Sequence, residues 1–176
     1  LALDLVKFDE NFEIYVEGLT WQKDASWGNY FVKRISEPGN PVNLLKAFIY
    51  SDNIYFAQMA LNLGEANFIE GAQKYGIGSE ISVGYPLETS QIANNSVMNN
   101  EILLADSGYG QGQVLINILT IPRAFTVFAN GGNLIEMKLL KDDQNPIATK
   151  VTSPEIADKV FSLMKESVDP EVGTAH

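Results

Sequence analysis

The sequence contains no cysteine and a single histidine, His176, at its last position. The absence of cysteine excludes disulfides, thiolate metal sites and cysteine nucleophiles. One histidine at the end of the chain gives little support for a Ser-His-Asp triad or for a histidine-based metal site. We therefore expect neither a metal nor a cofactor.

Basic residues are also scarce, with 12 Lys and Arg against 22 Asp and Glu, for a net charge of -10. A nucleic-acid partner is not expected, because a phosphate backbone requires clustered Lys and Arg. The same acidity gives no electrostatic reason to lie on an anionic membrane. No apolar run approaches the roughly 20 residues that span a bilayer. Membrane association is expected only through a tether outside this chain.

What is present is an ordinary globular composition, with 45% hydrophobic and 19% charged residues among 176, which suits one domain. Hydrophobic periodicity and capping residues predict a mainly α fold with a small β hairpin. Asn40 with Pro41, Asn117 and Ser153 are the predicted starts of three helices. The helices are predicted over residues 40–49, 53–63, 65–75, 99–106 and 117–128, and from 153 onward.

Aromatic and polar residues alternate irregularly between 11 and 34, which favours loops and short strands. The hairpin is predicted to pair residues 135–140 with 147–151 around a turn at 142–146. Pro122 falls inside a predicted helix and should bend or restart it.

Ser51-Asp52-Asn53 lies at the junction of two predicted helices. One interpretation is purely structural, because these residue types satisfy free N–H groups at a helix start. The other is chemical. A turn between helices could present Ser51 and Asn53 to one cleft while Asp52 points inward and braces the loop. A hydroxyl can relay a proton to a leaving amine, and a carboxamide can bind a substrate amide.

The residues around this tripeptide resemble a known family. Residues 47–58 followed by 61–64, and residues 101–115 with their Gly-Tyr-Gly-Gln-Gly stretch, are similar to the S-x-N region of class B penicillin-binding proteins. Phe128-Ala-Asn-Gly-Gly at 128–132 matches the turn that follows in that family. Residues 18–24 with Trp27-Gly28 resemble its low-affinity branch, which is associated with β-lactam resistance.

The resemblance implies roles for individual residues. Ser51 would take part in proton transfer and Asn53 would bind the peptide or β-lactam amide, with Asp52 supporting the motif. Tyr109 and Gln111 would lie close to the cleft as substrate-binding residues; alternatively, they only pack a glycine-rich turn. The implied fold is the helical subdomain of the penicillin-binding protein transpeptidase fold, which is like that of serine β-lactamases.

Two parts of the family pattern are missing. No K-[ST]-G occurs in the chain, and the one S-x-x-K match, Ser162 to Lys165, comes after S-x-N, whereas the family places its nucleophile before it. We interpret Ser162 and Lys165 as surface residues of an amphipathic helix with Val160, Phe161 and Met164 on its apolar face. Residues 1–176 would then be a partial transpeptidase domain, inactive alone and prone to self-association.

The resemblance further implies a D,D-transpeptidase at the extracytoplasmic face of the bacterial membrane, with peptidoglycan stem peptides and β-lactams as partners. The alternatives are a penicillin-recognising sensor, a degenerate cell-wall-binding module, or a generic helical domain without cleft chemistry.

Overall fold

Six α-helices and four short strands lie in the ranges that the computed structural model describes, residues 2–4, 11–81, 83–138 and 147–175. The strands form two antiparallel pairs, and single 3-10 turns occur at Ala2–Asp4, Ala25–Trp27 and Asn94–Ser96. The predicted mainly α fold with a small hairpin is confirmed. The helices are α1 (Leu44–Ile49), α2 (Asn53–Leu63), α3 (Glu65–Lys74), α4 (Glu101–Ser107), α5 (Thr120–Ala129) and α6 (Pro154–Ser167). The strand pairs are β1 (Thr20–Trp21) with β2 (Val32–Lys33), and β3 (Asn133–Ile135) with β4 (Ala148–Lys150).

Helix α2 lies at the centre of the larger hydrophobic core. It packs against α1, α3, α4 and β2, and its apolar residues Ile54, Tyr55 and Ala57 are fully buried. A helix with neighbours on several sides needs apolar residues around most of its circumference. Gly108, just after α4, lets the two helices approach, because a Cβ there would lie 2.5 Å from the Phe56 carbonyl oxygen.

The remaining helices are arranged around this centre. A second apolar cluster joins α2, α3, α4 and the loop between α3 and α4. Its buried residues are Ala60, Ala72, Ile92, Ala93, Met98, Leu103 and Leu104. Helix α6 packs on both α1 and α5, and α5 also packs on β3. The C-terminal end of α6 thereby reaches the neighbourhood of α1.

Several predicted helix ends are confirmed. Helix α2 spans residues 53–63 as predicted, and Gly64 ends it with a φ of 75°. Helix α6 begins with Ser153 as its N-cap, whose hydroxyl accepts the Ile156 N–H at 3.2 Å, and with Pro154 in the first turn. These signals are local in the sequence, which is why they were sufficient.

The predicted start of α1 at Asn40 and Pro41 is wrong. The helix begins at Leu44, and Asn43 caps it by accepting the Lys46 N–H at 3.0 Å. Val42 stays extended because it exchanges two backbone hydrogen bonds of 3.0 Å with Ile14 across an isolated bridge. Since Val42 is also fully buried, tertiary packing overrides the local capping signal.

The predicted start of α5 at Asn117 is also wrong, and the expected effect of Pro122 changes with it. Asn117 accepts the Leu119 N–H at 2.8 Å in a side-chain turn, and the helix begins at Thr120. Pro122 therefore falls in the first turn, where backbone N–H groups have no helical acceptor to lose. The proline neither bends nor restarts the helix.

The strand pair β3–β4 confirms the predicted hairpin, with β3 starting at Asn133, before the predicted residue 135, and β4 covering 148–150 of the predicted 147–151. The predicted turn at 142–146 lies outside the described residues. The predicted apolar face of α6 is wrong at one residue, because Phe161 is 45% exposed. The buried residue of this helix is Ala157. None of the helices in the described ranges combines the length and apolarity that crossing a bilayer requires.

Candidate active site

The turn between α1 and α2 is a tight helix C-terminus followed directly by an N-cap. The Ser51 N–H donates to the Phe48 carbonyl at 3.3 Å, and the Asp52 N–H donates to the Ala47 carbonyl at 2.9 Å. This is the pair of hydrogen bonds of a Schellman motif, whose C′ position requires a left-handed backbone. Ser51 occupies that position with a φ of 49°. Glycine is the usual residue there, so serine carries conformational strain.

Asp52 is buried, with 1% of its surface exposed, and its two carboxylate oxygens have different partners. Oδ1 caps α2 by accepting the N–H groups of Ile54 at 2.9 Å and Tyr55 at 3.1 Å. Oδ2 accepts from Nη1 of Arg34 at 3.0 Å, and both side chains of this ion pair are almost completely inaccessible. The carboxylate thus binds the start of α2 to the residue that follows β2.

The other two nitrogens of Arg34 also donate. Nε donates to the Gly18 carbonyl at 2.9 Å and Nη2 to the Val16 carbonyl at 2.5 Å. A buried charge is tolerated when it is paired and hydrogen bonded in this way. Sequence reasoning placed Asp52 inward but missed Arg34. The available signal was chemical: an inward carboxylate needs a cation or several N–H donors.

Ser51 and Asn53 both lie at the surface, unlike Asp52. Ser51 is exposed and its Oγ lies 2.8 Å from Oγ1 of Thr174, in the segment after α6. Asn53 is half-buried, and its amide nitrogen donates to the Lys33 carbonyl of β2 at 2.8 Å. Within the described part of the chain, no hydrogen bond reaches the amide oxygen of Asn53, which leaves an acceptor for another group.

Tyr109 belongs to a carboxylate-centred cluster at the end of α4. Its hydroxyl donates to Oδ1 of Asp106 at 2.5 Å, and the Tyr30 hydroxyl donates to the same oxygen. Burial, and then hydrogen bonding to Asp106, raise the pKa of both tyrosines. The cluster connects α4 to the segment just before β2, whose Lys33 carbonyl holds Asn53. The polar end of Tyr109 is therefore engaged within the protein.

Gln111 is exposed on the glycine-rich turn. Its N–H donates to the Asp106 carbonyl at 3.0 Å and its carbonyl accepts the Val114 N–H at 3.4 Å. Gly112 allows the turn to pack tightly, since a Cβ there would lie 2.8 Å from Leu103. Among the described residues, no hydrogen bond joins Gln111 to the turn at 51–53. Ser51, Asp52 and Asn53 thus share one turn, and Gln111 belongs to a separate turn.

Ser162 and Lys165 lie on the exposed side of α6 and have separate partners. The Ser162 hydroxyl donates to the Asp158 carbonyl at 2.9 Å, and the Lys165 amine lies 5.9 Å from the centroid of the Phe161 ring. Neither contact activates the serine as a nucleophile. Across the residues that the structure describes, no group of three or more potential metal ligands comes together.

Comparison with known proteins gives one family and several relatives. The family model described as "Penicillin binding protein transpeptidase domain" matches residues 1–176. The chain is 39% identical over 164 residues to "Penicillin-binding protein 3" of Bacillus subtilis, covering 92% of this chain and 24% of that protein. It is 25% identical over 172 residues to "Probable peptidoglycan D,D-transpeptidase PbpC" of Pseudomonas aeruginosa, covering 98% of this chain and 29% of that protein.

A solved structure supports the fold. The "Crystal structure of a peptidoglycan glycosyltransferase from Burkholderia ambifaria" superposes with a TM-score of 0.84 at 21% identity, covering 97% of this chain and 53% of that one. The chain thus spans about a quarter of the curated relatives and about half of the structural one.

Proposed function

Because the chain belongs to the penicillin-binding protein transpeptidase domain family, we propose that it forms the helical wall of the active site of a peptidoglycan D,D-transpeptidase. In the complete protein a serine outside this chain would be acylated by a stem peptide, or by a β-lactam that mimics it. The nucleophile and the K-[ST]-G strand of the family have no counterpart at the expected places in this sequence.

The observation that carries the proposal is the turn at 51–53. Its central carboxylate is buried and fully bonded, whereas the two flanking polar side chains remain at the surface. If the tripeptide served only as a helix cap, Asp52 alone would be sufficient, because it already accepts both N–H groups. The amide oxygen of Asn53 and the lone pairs of the Ser51 hydroxyl are the groups that can accept from a substrate.

We assign the roles accordingly. Ser51 relays a proton between the nucleophile and the leaving amine, and Asn53 accepts from the substrate amide N–H through its unoccupied oxygen. Asp52 supports the motif through Arg34. Gln111 is the more accessible of the two substrate-binding candidates in the glycine-rich turn. Tyr109 contributes its ring, since its hydroxyl is held by Asp106.

Acylation of the complete protein by a fluorescent penicillin tests this function. Intact-mass measurement should show one adduct, and Ser51→Ala and Asn53→Ala should each lower the rate of its formation by about 100- to 1,000-fold, the range for losing proton-transfer or transition-state contacts. Thr149→Val, at an exposed position on β4, is the control and should leave the rate unchanged. A protein that forms the adduct but never transfers acyl groups to amines would be a sensor instead.

The isolated chain should form no adduct, because covalent catalysis needs an activated nucleophile and a placed oxyanion site. A stoichiometric penicillin adduct on any serine of residues 1–176 would contradict the assignment of the nucleophile to another segment. Ser162 is the residue to check by peptide mapping.

The low-affinity branch is a further part of the proposal. The segment that resembles it, residues 18–28, is tied to the turn, because the Gly18 and Leu19 carbonyls accept from the side chain and backbone of Arg34. Trp27 is buried and contacts Trp21 edge to face at 5.5 Å. We expect slow acylation that saturates only at high penicillin concentration. Labelling as fast as that of a β-lactam-sensitive homologue would contradict this assignment.

We propose that a tether outside this chain holds the complete protein at the extracytoplasmic face of the membrane, where peptidoglycan is cross-linked.

The isolated chain should self-associate through apolar residues that the rest of the protein would cover. Ile118, Ile121 and Phe125, around the start of α5, are 80%, 50% and 53% exposed. Analytical ultracentrifugation should show concentration-dependent association, and a compact monomer at high concentration would contradict it.

A further inference from the structure

We infer that Thr174 is a positioning residue for Ser51, fixing the direction in which the Ser51 hydroxyl donates; this inference rests on the proposed function. Thr174 lies 123 residues from Ser51, and their hydroxyl oxygens are 2.8 Å apart. No sequence motif connects the two positions. The contact exists because α6 packs on α1 and brings the following segment over the turn.

The hydrogen-bond pattern assigns the donor. Oγ1 of Thr174 also lies 3.0 Å from the Ile49 carbonyl oxygen, which can only accept. A threonine hydroxyl has one hydrogen, so Thr174 donates to Ile49 and must accept from Ser51. The Ser51 hydrogen is then directed to Thr174, and the lone pairs of Ser51 are left to accept from another group. When Ser51 relays a proton, its oxygen accepts one hydrogen as its own hydrogen turns from Thr174 to the leaving amine, so the hydroxyl stays neutral throughout.

The backbone around Thr174 is anchored on both sides. The Gly173 N–H donates to the Asp169 carbonyl at 2.8 Å, and the Ala175 N–H donates to the Ser167 carbonyl at 3.0 Å. Gly173 is buried against the end of α6, where a Cβ would lie 2.2 Å from the Ser167 carbonyl oxygen. Two flanking anchors and this close approach fix Thr174 in place, as a residue that orients a catalytic hydroxyl must be.

Ser51 itself is held in a conformation that favours this contact. Its φ of 49° belongs to the left-handed region, and the Schellman hydrogen bonds on either side define that geometry. The Asp52–Arg34 ion pair fixes the next residue. Asp52 therefore holds the backbone of Ser51 in place, and Thr174 fixes the direction of the Ser51 hydroxyl.

The test is a double-mutant cycle in the complete protein, read as the limiting acylation rate with a fluorescent penicillin. Thr174→Val removes the hydroxyl while keeping the shape, and should lower the limiting rate about fivefold, the effect of one ordinary hydrogen bond. The half-saturating penicillin concentration should stay unchanged, because Asn53 is untouched. Thr174→Ser restores the hydroxyl and should restore the rate. Thr149→Val is the matched control for a surface Thr→Val change.

The decisive comparison is made in the Ser51→Ala background. If Thr174 acts through Ser51, adding Thr174→Val to Ser51→Ala should cause no further loss. Independent, multiplying losses would overturn the inference, and so would a Thr174→Val protein that reacts at the unsubstituted rate. Thr174→Ala serves as a second hydroxyl deletion if the valine variant does not fold.

The two proposals fail differently. If the unsubstituted complete protein is not labelled, the proposed function is wrong and the positioning role falls with it. If that protein is labelled and Thr174→Val changes nothing, only the positioning role is wrong. If Thr174 were merely structural, Thr174→Val would lower the rate by the same factor in the Ser51→Ala background.

Discussion

The ion pair between Asp52 and Arg34 is the most informative point at which to perturb the turn. Removing one partner of a buried ion pair leaves an uncompensated charge and costs roughly 3–5 kcal/mol. No discount for solvent applies here, because the two side chains are 0% and 2% exposed. Asp52 also caps α2, and loss of an N-cap costs about 0.5–2 kcal/mol.

Two substitutions separate these contributions. Asp52→Asn keeps an oxygen for the Ile54 and Tyr55 N–H groups but removes the charge, so the free energy of unfolding should fall by roughly 3 kcal/mol. Asp52→Ala removes both functions and should cost roughly 3.5–7 kcal/mol, the sum of the two ranges. Since small domains are stable by only about 5–15 kcal/mol, the asparagine variant is the safer measurement. Arg34→Met should cost at least as much, because it also removes the donors to the Gly18 and Val16 carbonyls.

The assay is urea unfolding of the chain at low concentration, followed by fluorescence of Trp21 and Trp27. Trp21 belongs to β1, which pairs with β2, the strand just before Arg34, and Trp27 contacts Trp21. The double variant Asp52→Asn with Arg34→Met should cost less than the sum of the single variants, because removing the second charge relieves the isolated first one. Glu70→Gln is the control. It breaks the exposed i,i+4 pair with Lys74 and should cost no more than about 0.5 kcal/mol.

A result in which Asp52→Asn is as mild as Glu70→Gln would refute the reasoning. It would mean that the buried pair contributes nothing to holding the turn, and that Asp52 acts through its helix cap alone. Additive losses in the double variant would lead to the same conclusion.

Two further predictions concern Tyr30, Tyr109 and Ser51. Burial raises the pKa of Tyr30 and Tyr109, so the unfolded chain releases these protons near pH 10 while the folded chain retains them. The contribution of these two tyrosines to the free energy of unfolding should therefore be complete below about pH 10 and be lost as pH rises beyond it. In urea unfolding at increasing pH, Tyr30→Phe and Tyr109→Phe should reduce this loss. Tyr85→Phe, at an exposed position, is the control and should not reduce it. Ser51→Gly relieves the left-handed strain and should keep or raise the unfolding midpoint while it removes the hydroxyl and lowers acylation of the complete protein. A clear fall in its midpoint would show that the Thr174 contact outweighs the strain.

The elements that the sequence predicted well are those determined within a few residues. Gly64 ends α2 and Ser153 with Pro154 starts α6, because the groups that cap these helices are their immediate neighbours. The errors at Asn40 and Asn117 arise where a distant contact competes with the local signal. Val42 is held extended by Ile14, and the Asn117 N–H is held by Ser90. A capping residue indicates only that a helix can start there, and tertiary packing selects the position.

The candidate site shows the same difference between features set by neighbouring residues and features set by distant contacts. The tripeptide at 51–53 and the glycine-rich turn are recognisable because their residues are consecutive. Arg34 is 18 residues from Asp52, Tyr30 is 76 from Asp106, and Thr174 is 123 from Ser51. Such partners depend on which elements pack together, and periodicity within a segment does not determine that.

Strain at Ser51 connects stability with the proposed chemistry. The left-handed C′ position of a helix favours glycine, and a side chain there costs about 1–2 kcal/mol. The hydrogen bond to Thr174 returns about 0.5–1.5 kcal/mol, so folding by itself gives serine no clear advantage over glycine. Asp52 and Arg34 hold the backbone in this conformation whichever residue occupies position 51. A hydroxyl that folding does not require, kept at the surface on a rigid turn, is what the proposed role in proton transfer needs.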